Sequence, residues 1–155
     1  MRGSVTVQMA ASPEVVWDLV SDVTRIGEFS PETFEARWTR GATGPEVGAY
    51  FKGHVRRNEV GPVYWTLCRV TECAPGRDFG FVVEVRGQDV NHWRYQLHET
   101  ITGTAVTESF ELAGAGYLKA YWAVLGRLRG RRNERDMRRT LERIKVIAER
   151  TEAAR

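Results

Sequence analysis

Glu108 is the residue whose type and position in this sequence most clearly suggest acid–base chemistry. It lies in the alternating segment 104–113, where parity places it on the same side as Val106 and Phe110. A carboxylate on an apolar face is costly unless it is paired, hydrogen-bonded or protonated. Three interpretations stay open: a polar anchor at the bottom of a ligand cavity, a structural carboxylate satisfied by a hydroxyl or an arginine, or a register that returns it to solvent.

Three tyrosines are candidate partners of that carboxyl group. They are Tyr64, Tyr95 and Tyr121. A phenol beside a carboxyl of raised pKa would supply a proton donor next to a general acid or base. The sequence does not show which of them converge, so Glu108 and Tyr95 are the catalytic candidates only if the protein is an enzyme.

Other kinds of site lack the residues that they need. By parity, the three histidines fall on the polar faces of their segments, and no His, Cys and Asp spacing matches a metal-ligand set: His54, His92 and His98. No Gly-x-Ser-x-Gly motif is present, and neither cysteine has an evident histidine partner. The turn at 41–44 has no P-loop lysine. We therefore expect neither a metal nor a cofactor.

Length and composition indicate one globular domain over residues 1–155. The chain is 42% apolar and 28% charged, close to average usage for a folded domain. No window approaches the roughly 18 apolar residues of a membrane span, and the first residues do not resemble a secretion signal. We therefore expect no stable membrane insertion.

The two cysteines favour a reducing compartment. Cys68 and Cys73 are five positions apart in one predicted strand. That spacing is roughly 16 Å in an extended chain, beyond the limit of about 7 Å between the Cα atoms of a disulfide. A cytoplasmic location is the expectation.

Positive charge is concentrated in the last segment. Residues 127–155 hold 11 Lys and Arg against 5 Asp and Glu, a net +6, whereas the whole chain carries +3. One interpretation is a docking surface for an acidic partner or an anionic membrane surface. The interleaved acids Glu134, Asp136 and Glu142 favour the other, a solvated helix face. Because aromatic stacking groups are not interleaved with these arginines, we expect no nucleic-acid partner. The sequence does not identify a partner protein.

The order of elements predicts an antiparallel α+β fold. Residues 4–10 alternate as a strand, Ser12 and Pro13 begin a helix, and 24–29 form a second short helix. Short turns then separate six more predicted strands, which implies hairpins: 33–40, 48–58, 62–74, 78–87, 91–101 and 104–113. After Gly114 the period becomes helical, and we expect a first helix over 115–127, a break, and a long helix over 131–151.

Strand parity turns large aromatic groups toward one side of the predicted sheet. Phe51 and Val55, Phe79 and Phe81, Trp93 and Tyr95, and Val106 and Phe110 share that side on four strands. Strand 62–74 is ambiguous, because both of its faces carry apolar residues. A strongly curved sheet and a straight helix cannot fill all the space between them, so we expect an aromatic cavity; a fully packed core is the alternative.

Several segments resemble the polyketide cyclase/dehydrase-like branch of the START-like superfamily. They follow in order from about Val5 to Glu149 and are 12–22 (SPEVVWDLVSD), 27–31 (GEFSP), 47–53 (VGAYFKG), 68–76 (CRVTECAPG), 93–95 (WRY), 106–110 (VTESF) and 137–144 (MRRTLERI). The resemblance implies a helix-grip fold, in which a curved seven-stranded antiparallel sheet wraps a long C-terminal helix over a deep hydrophobic cavity.

The resemblance leaves three functions open. Relatives bind lipids, sterols or polyketides, and a minority catalyse cyclisation, aromatisation or dehydration; fold alone does not choose among them. The first function is binding or transport of a small hydrophobic ligand, lipid or polyketide-like, and the second is a cyclase or dehydratase using Glu108 and a tyrosine. The third is an interaction module built on the basic helix. The expected ligand-binding residues are Phe51, Tyr64, Phe79, Phe81, Trp93, Tyr95, Glu108, Phe110, Tyr117 and Tyr121.

Overall fold

Seven strands precede one long C-terminal helix. A computed structural model describes the backbone of residues 1–56, 60–113 and 116–155, and the side chains of these residues outside 116–130. Its elements in chain order are β1 (Arg2–Met9), α1 (Pro13–Ser21), a 3₁₀ helix (Val23–Glu28), β2 (Thr33–Thr39), β3 (Tyr50–Arg56), β4 (Val63–Ala74), β5 (Asp78–Val85), β6 (Gln88–Thr100), β7 (Gly103–Leu112) and α2 (Gly116–Ala153). The predicted strands and both short helices are confirmed.

The two short helices begin at the capping residues that the sequence predicts. The Ser12 hydroxyl accepts a hydrogen bond from the amide of Val15 at 3.4 Å, and Pro13 occupies the first turn, where its missing N–H is not needed. Asp22 ends α1 and starts the 3₁₀ helix, accepting from the Thr24 amide at 3.1 Å.

The strands form one antiparallel sheet in the order β1-β7-β6-β5-β4-β3-β2. From β2 to β7 each strand pairs with the next in the chain, as short turns require, and β1 joins at the far edge beside β7. Register shifts interrupt the ladders at 33–35, 70–72 and 83–84. Because bulges bend a strand and increase its twist, they help the sheet to curve around α2.

Burial along the strands confirms the predicted inner face. Phe51, Val55, Tyr95, Val106 and Phe110 are each less than 9% exposed. The ambiguous strand β4 turns Tyr64, Thr66, Cys68 and Val70 inward, where the first three line a cavity and Val70 is fully buried.

Trp65 lies on the outer face of β4 instead. Its ring stacks on the imidazole of His54 at 4.2 Å between centroids, and the guanidinium of Arg37 lies 4.7 Å from the centre of the Trp65 ring. Because these contacts stabilise the indole ring on the outer face, Trp65 does not have to be buried in the core. The number of apolar residues on each side of β4 was therefore not enough to identify its buried face.

Helix α2 runs without interruption over 38 residues, about 57 Å at 1.5 Å per residue. The expected break near Gly126 and Gly130 is wrong. A glycine inside a helix costs only about 1 kcal/mol relative to alanine, so the backbone continues where the apolar stripe changes phase.

The C-terminal half of α2 packs against the sheet through the predicted stripe. Met137, Leu141, Ile144 and Ala148 are at most 1% exposed. Directly after this stripe, the Glu149 carboxylate accepts the Ala10 amide at 2.9 Å, and Glu152 accepts the Ser12 amide at 3.0 Å. These bonds attach the end of α2 to the connection between β1 and α1.

Two further observations concern compartment and membrane. Cys68 and Cys73 are both free thiols, as their spacing predicts. Within the described part of the chain, no helix is long and apolar enough to cross a membrane.

We predict that Leu141→Asp unfolds the protein, because it places a charge at a fully buried position of the apolar stripe on α2. The loss of packing and the desolvation of the carboxylate should together cost at least about 4 kcal/mol. Val146→Asp is the matched control, since Val146 is 48% exposed on the same helix. Urea denaturation followed by circular dichroism measures both variants; equal stability of the two would show that the stripe is not packed.

Candidate functional site

A cavity of about 460 Å³ lies between the inner face of the sheet and helix α2. Small-molecule sites usually occupy about 300–1,000 Å³, so the space suits a small ligand. The side chains of β3 to β7 form its walls, the connection 30–33 closes one side, and Met137 and Thr140 of α2 face it. The predicted hollow is present, and the alternative of a fully packed core is wrong.

Most of the predicted ligand-binding residues line this cavity. They are Phe51, Tyr64, Phe81, Trp93, Tyr95, Glu108 and Phe110. Phe79 is not among the lining residues; it is 1% exposed in the core, with its ring 6.2 Å from that of Phe81. The predicted inward direction of Phe79 is correct, but its side chain packs in the core and does not reach the cavity. The side chains of Tyr117 and Tyr121 lie outside the described residues.

The aromatic wall is held in place by ring-to-ring packing. Phe51 contacts Phe81 edge to face at 5.1 Å between centroids, and Trp38, which lies opposite Phe51 on β2, packs edge to face on it at 5.8 Å. On the next two strands, Trp93 lies opposite Phe81, and its ring is 5.6 Å from that of Phe110. Aromatic pairs in these geometries add about 0.5–1.5 kcal/mol beyond the area that they bury. The wall is therefore formed before any ligand enters.

Glu108 and Tyr95 form a buried polar pair in the cavity. The Tyr95 hydroxyl donates to Oε1 of Glu108 at 3.1 Å, and the two residues are 6% and 4% exposed. Oε2 of Glu108 is also buried, and it makes no hydrogen bond with any side chain that the structure describes. The inward orientation of Glu108 is confirmed, and Tyr95 is the described tyrosine that meets it.

The register of one hairpin explains this convergence. Thr100 pairs with Gly103 across a two-residue turn, and counting back along both strands places Tyr95 directly opposite Glu108. Residues directly opposite in an antiparallel pair have Cβ atoms about 4.5–5.5 Å apart. Because turn length fixes the register of a hairpin, the two-residue turn at 101–102 is the signal in the sequence that predicts this contact.

Burial determines the protonation state of the pair. Removal of Glu108 from water raises its carboxyl pKa from 4.5 to about 8, and the hydrogen bond from Tyr95 offsets only part of that increase. Burial also raises the phenol pKa of Tyr95 well above 10, and the adjacent carboxylate raises it further. Glu108 is therefore mostly a neutral carboxylic acid at pH 7.

Helix α2 contributes polar residues that the sequence analysis missed. Arg132, Asn133 and Asp136 line the cavity with Met137 and Thr140. Interleaved charge made this segment look like a solvated face. Their spacing was the signal, because positions four residues apart share one side of a helix: Arg132, Asp136 and the buried Thr140 follow at intervals of four, and Asn133 lies four residues before Met137.

Outside the cavity, His54 and His92 lie on the outer face of the sheet beside carboxylates. His54 is 2.8 Å from Glu35, and His92 is 2.9 Å from Glu72. Within the residues whose side chains are described, no group of three or more His, Cys, Asp or Glu could hold a metal.

The chain matches a protein-family model over residues 2–149, and that family is described as polyketide cyclase/dehydrase and lipid transport. The chain belongs to this family. The resemblance drawn from the sequence is thereby confirmed. No curated protein gives a significant sequence match.

Solved structures agree with the family and with the helix-grip fold. A polyketide-cyclase-like protein of Corynebacterium glutamicum is 28% identical, with 99% of this chain and 92% of that chain covered and a TM-score of 0.55. A protein of Nitrosomonas europaea is 13% identical, with coverages of 99% and 97% and a TM-score of 0.70. The di-domain ARO/CYC protein StfQ of the steffimycin biosynthetic pathway is 17% identical, with a TM-score of 0.66; the match covers 99% of this chain and 46% of StfQ.

We predict that this family member loses stability as the pH rises from about 5 to 8. In that range folded Glu108 keeps its proton, whereas the unfolded carboxyl, with a pKa of 4.5, has lost it. Unfolding then releases a proton, so the free energy of unfolding falls by up to about 1.4 kcal/mol per pH unit.

Chemical denaturation at a series of pH values measures this slope. Glu108→Gln should flatten it, because the amide does not titrate. Glu111→Gln is the control, since it makes the same change at an exposed position of the same strand. The prediction fails if wild type and Glu108→Gln show the same slope.

Proposed function

We propose that this protein binds a small hydrophobic ligand, lipid or polyketide-like, in the cavity between the sheet and α2. The observation that carries the proposal is the hollow of about 460 Å³ with an aromatic wall on one sheet face. Carriers of apolar molecules need such a surface, and a chain that only had to fold would gain stability by filling it.

The size of the hollow limits the affinity that burial of apolar surface alone can supply. Burying roughly 300 Å² of apolar ligand surface at about 25 cal/mol/Å² gives about 7 kcal/mol before association costs of several kcal/mol. The remainder of about 4 kcal/mol corresponds to roughly millimolar binding, so tighter binding requires polar contacts in addition. Family membership fits this proposal, since lipid transport is part of the family's description.

A cyclase or dehydratase is the second candidate, and the Glu108–Tyr95 contact favours it. As a neutral acid, Glu108 could protonate a departing hydroxyl of a poly-β-keto chain, and the carboxylate could then remove the proton from the adjacent carbon. Water leaves, a double bond forms and the acid is regenerated. Similarity to StfQ fits this candidate, but at 17% identity it is evidence of fold.

Compartment and partners stay predictions from the sequence. The cytoplasmic location is consistent with two free thiols. A small apolar molecule is the partner that the cavity supports, and the basic helix has no assigned partner.

We predict that filling the cavity abolishes ligand uptake. Val83 lines the hollow, and Val83→Trp should lower the uptake of the apolar dye Nile red at least tenfold, because the indole takes the ligand's place. Lys52→Trp is the matched control, with the same side chain added at an exposed position on the outer face of β3. Dye fluorescence measures uptake; equal dye binding by both variants would exclude the cavity as the binding site.

Native mass spectrometry of the purified protein distinguishes the two candidates. A co-purifying apolar molecule on wild type, retained on Glu108→Gln, is the result expected of a carrier. An enzyme instead leaves substrate on Glu108→Gln where wild type carries the dehydrated product, a loss of one water per ligand. Bare protein under conditions that preserve non-covalent complexes of a control carrier would count against both candidates.

A further inference from the structure

The carboxyl group at the bottom of the cavity is chemically unusual for an apolar site. Glu108 is 4% exposed, it lines the cavity, and only Oε1 is engaged, by the Tyr95 hydroxyl. Oε2 is buried and makes no hydrogen bond within the described side chains. An unsatisfied buried polar atom costs about 1–3 kcal/mol, so a ligand that bonds to it gains affinity.

The surroundings decide what this atom offers. Trp93 and Phe110 line the cavity with Glu108, and no described cationic side chain forms an ion pair with it. An isolated carboxylate is strongly disfavoured there, so the group holds a proton. Because the Tyr95 hydroxyl donates to Oε1, the carboxyl proton belongs on Oε2, which has no acceptor among the described side chains. Oε2 is also covered by the surrounding protein, so a ligand acceptor reaches it when the carboxyl group turns toward the cavity.

Charge excludes one class of ligand. A ligand carboxylate beside the neutral Glu108 would bring a negative charge into the apolar cavity without a buried cation to pair with it. Arg132 is the cation among the described cavity-lining residues, and it is an exposed residue of α2 rather than of the sheet floor. A neutral acceptor, such as a ketone or ester carbonyl, accepts the proton donor without a desolvated charge.

We infer that Glu108 acts as a hydrogen-bond donor that selects apolar ligands with an uncharged carbonyl at the buried end, in preference to hydrocarbons and to carboxylates. This inference rests on the proposed function and adds to it the chemical class of the ligand. It needs no turnover, so it holds for a carrier and for an enzyme alike.

The selection should disappear when Glu108 ionises. The other titratable or charged groups of the described cavity lining are Tyr95, Tyr64, Cys68, Glu32, Arg132 and Asp136. Burial raises the thiol pKa of Cys68 to about 12 and the phenol pKa of Tyr95 well above 10, which leaves both neutral near pH 8. Comparison with Glu108→Gln then isolates the effect of Glu108 from the remaining groups.

Three probes of nearly equal size test the inference. They are acetylnaphthalene with a ketone, ethylnaphthalene with no acceptor, and naphthoate with a carboxylate. Calorimetric titration at pH 6.5 and pH 9.5 measures each affinity. On wild type at pH 6.5 we expect the ketone to bind about three- to tenfold more tightly than ethylnaphthalene, the range that one net hydrogen bond supplies. Naphthoate should bind most weakly, and the ketone preference should vanish at pH 9.5.

Two variants test whether a hydrogen-bond donor at position 108 causes the preference for the ketone. Glu108→Gln keeps an N–H donor, so the ketone preference should persist at both pH values. Glu108→Leu has no donor and should show no preference at either. Glu111→Gln, on the exposed side of β7, should behave as wild type does. Thermal melting checks that each variant is folded; if Glu108→Leu does not fold, the pH dependence of wild type against Glu108→Gln decides.

The outcomes distinguish failure of the inference from failure of the proposed function. If all three probes bind and their relative affinities are the same at both pH values and in Glu108→Gln, donor selection is overturned, while the cavity is still a binding site. Preference for naphthoate overturns it as well. If Val83→Trp does not weaken the binding of any probe, the cavity is not the site, and the proposed function fails together with the inference.

Discussion

A single curved sheet exposes more apolar surface on its inner face than one helix can cover, and the rest of this structure depends on that constraint. Helix α2 buries one narrow stripe, from Met137 to Ala148, against the sheet. The short helix α1 and the 3₁₀ helix cover one end. What remains is a hollow that aromatic side chains from neighbouring strands surround but do not fill.

The same constraint explains the state of Glu108. Its strand places alternate residues in the hollow, and its neighbours across the sheet are Val5 on β1 and Tyr95 on β6. Neither carries a positive charge, so the carboxyl keeps a proton rather than forming an ion pair. A neutral acid next to a neutral phenol suits recognition of an uncharged polar group. It is also the starting state that acid catalysis requires, which is why the carrier and the cyclase proposals share one site.

Strand positions and faces were predictable because turn residues mark the ends and a period of two marks the faces. Phe51, Trp93 and Phe110 were assigned correctly on that basis alone. The alternation did not identify the buried face of β4, because both of its faces are apolar. Trp65 packs against His54 and Arg37 outside the core. The prediction also failed at Gly126 and Gly130, because a helix tolerates glycine where nothing else interrupts its hydrogen bonds.

The site was less predictable than the fold because it depends on distances between strands and helices. The inward position of Glu108 followed from parity, but its contact with Tyr95 requires the hairpin register, and Phe79 shows that an inward aromatic residue can lie in the core instead. Arg132 and Asp136 were missed because charge patterning takes no account of which helix face meets the cavity. Local sequence rules describe each element well, and the cavity is a property of how the elements close around it.

The most direct test is a carbon-13 NMR titration of the Glu108 side-chain carboxyl, with and without acetylnaphthalene. We expect a titration midpoint near pH 8 in the free protein. With the ketone bound we expect a higher midpoint, because the ligand accepts a hydrogen bond from the protonated form only. A midpoint near 4.5 that the probe does not move would contradict the account, since it would show an ordinary solvated carboxylate.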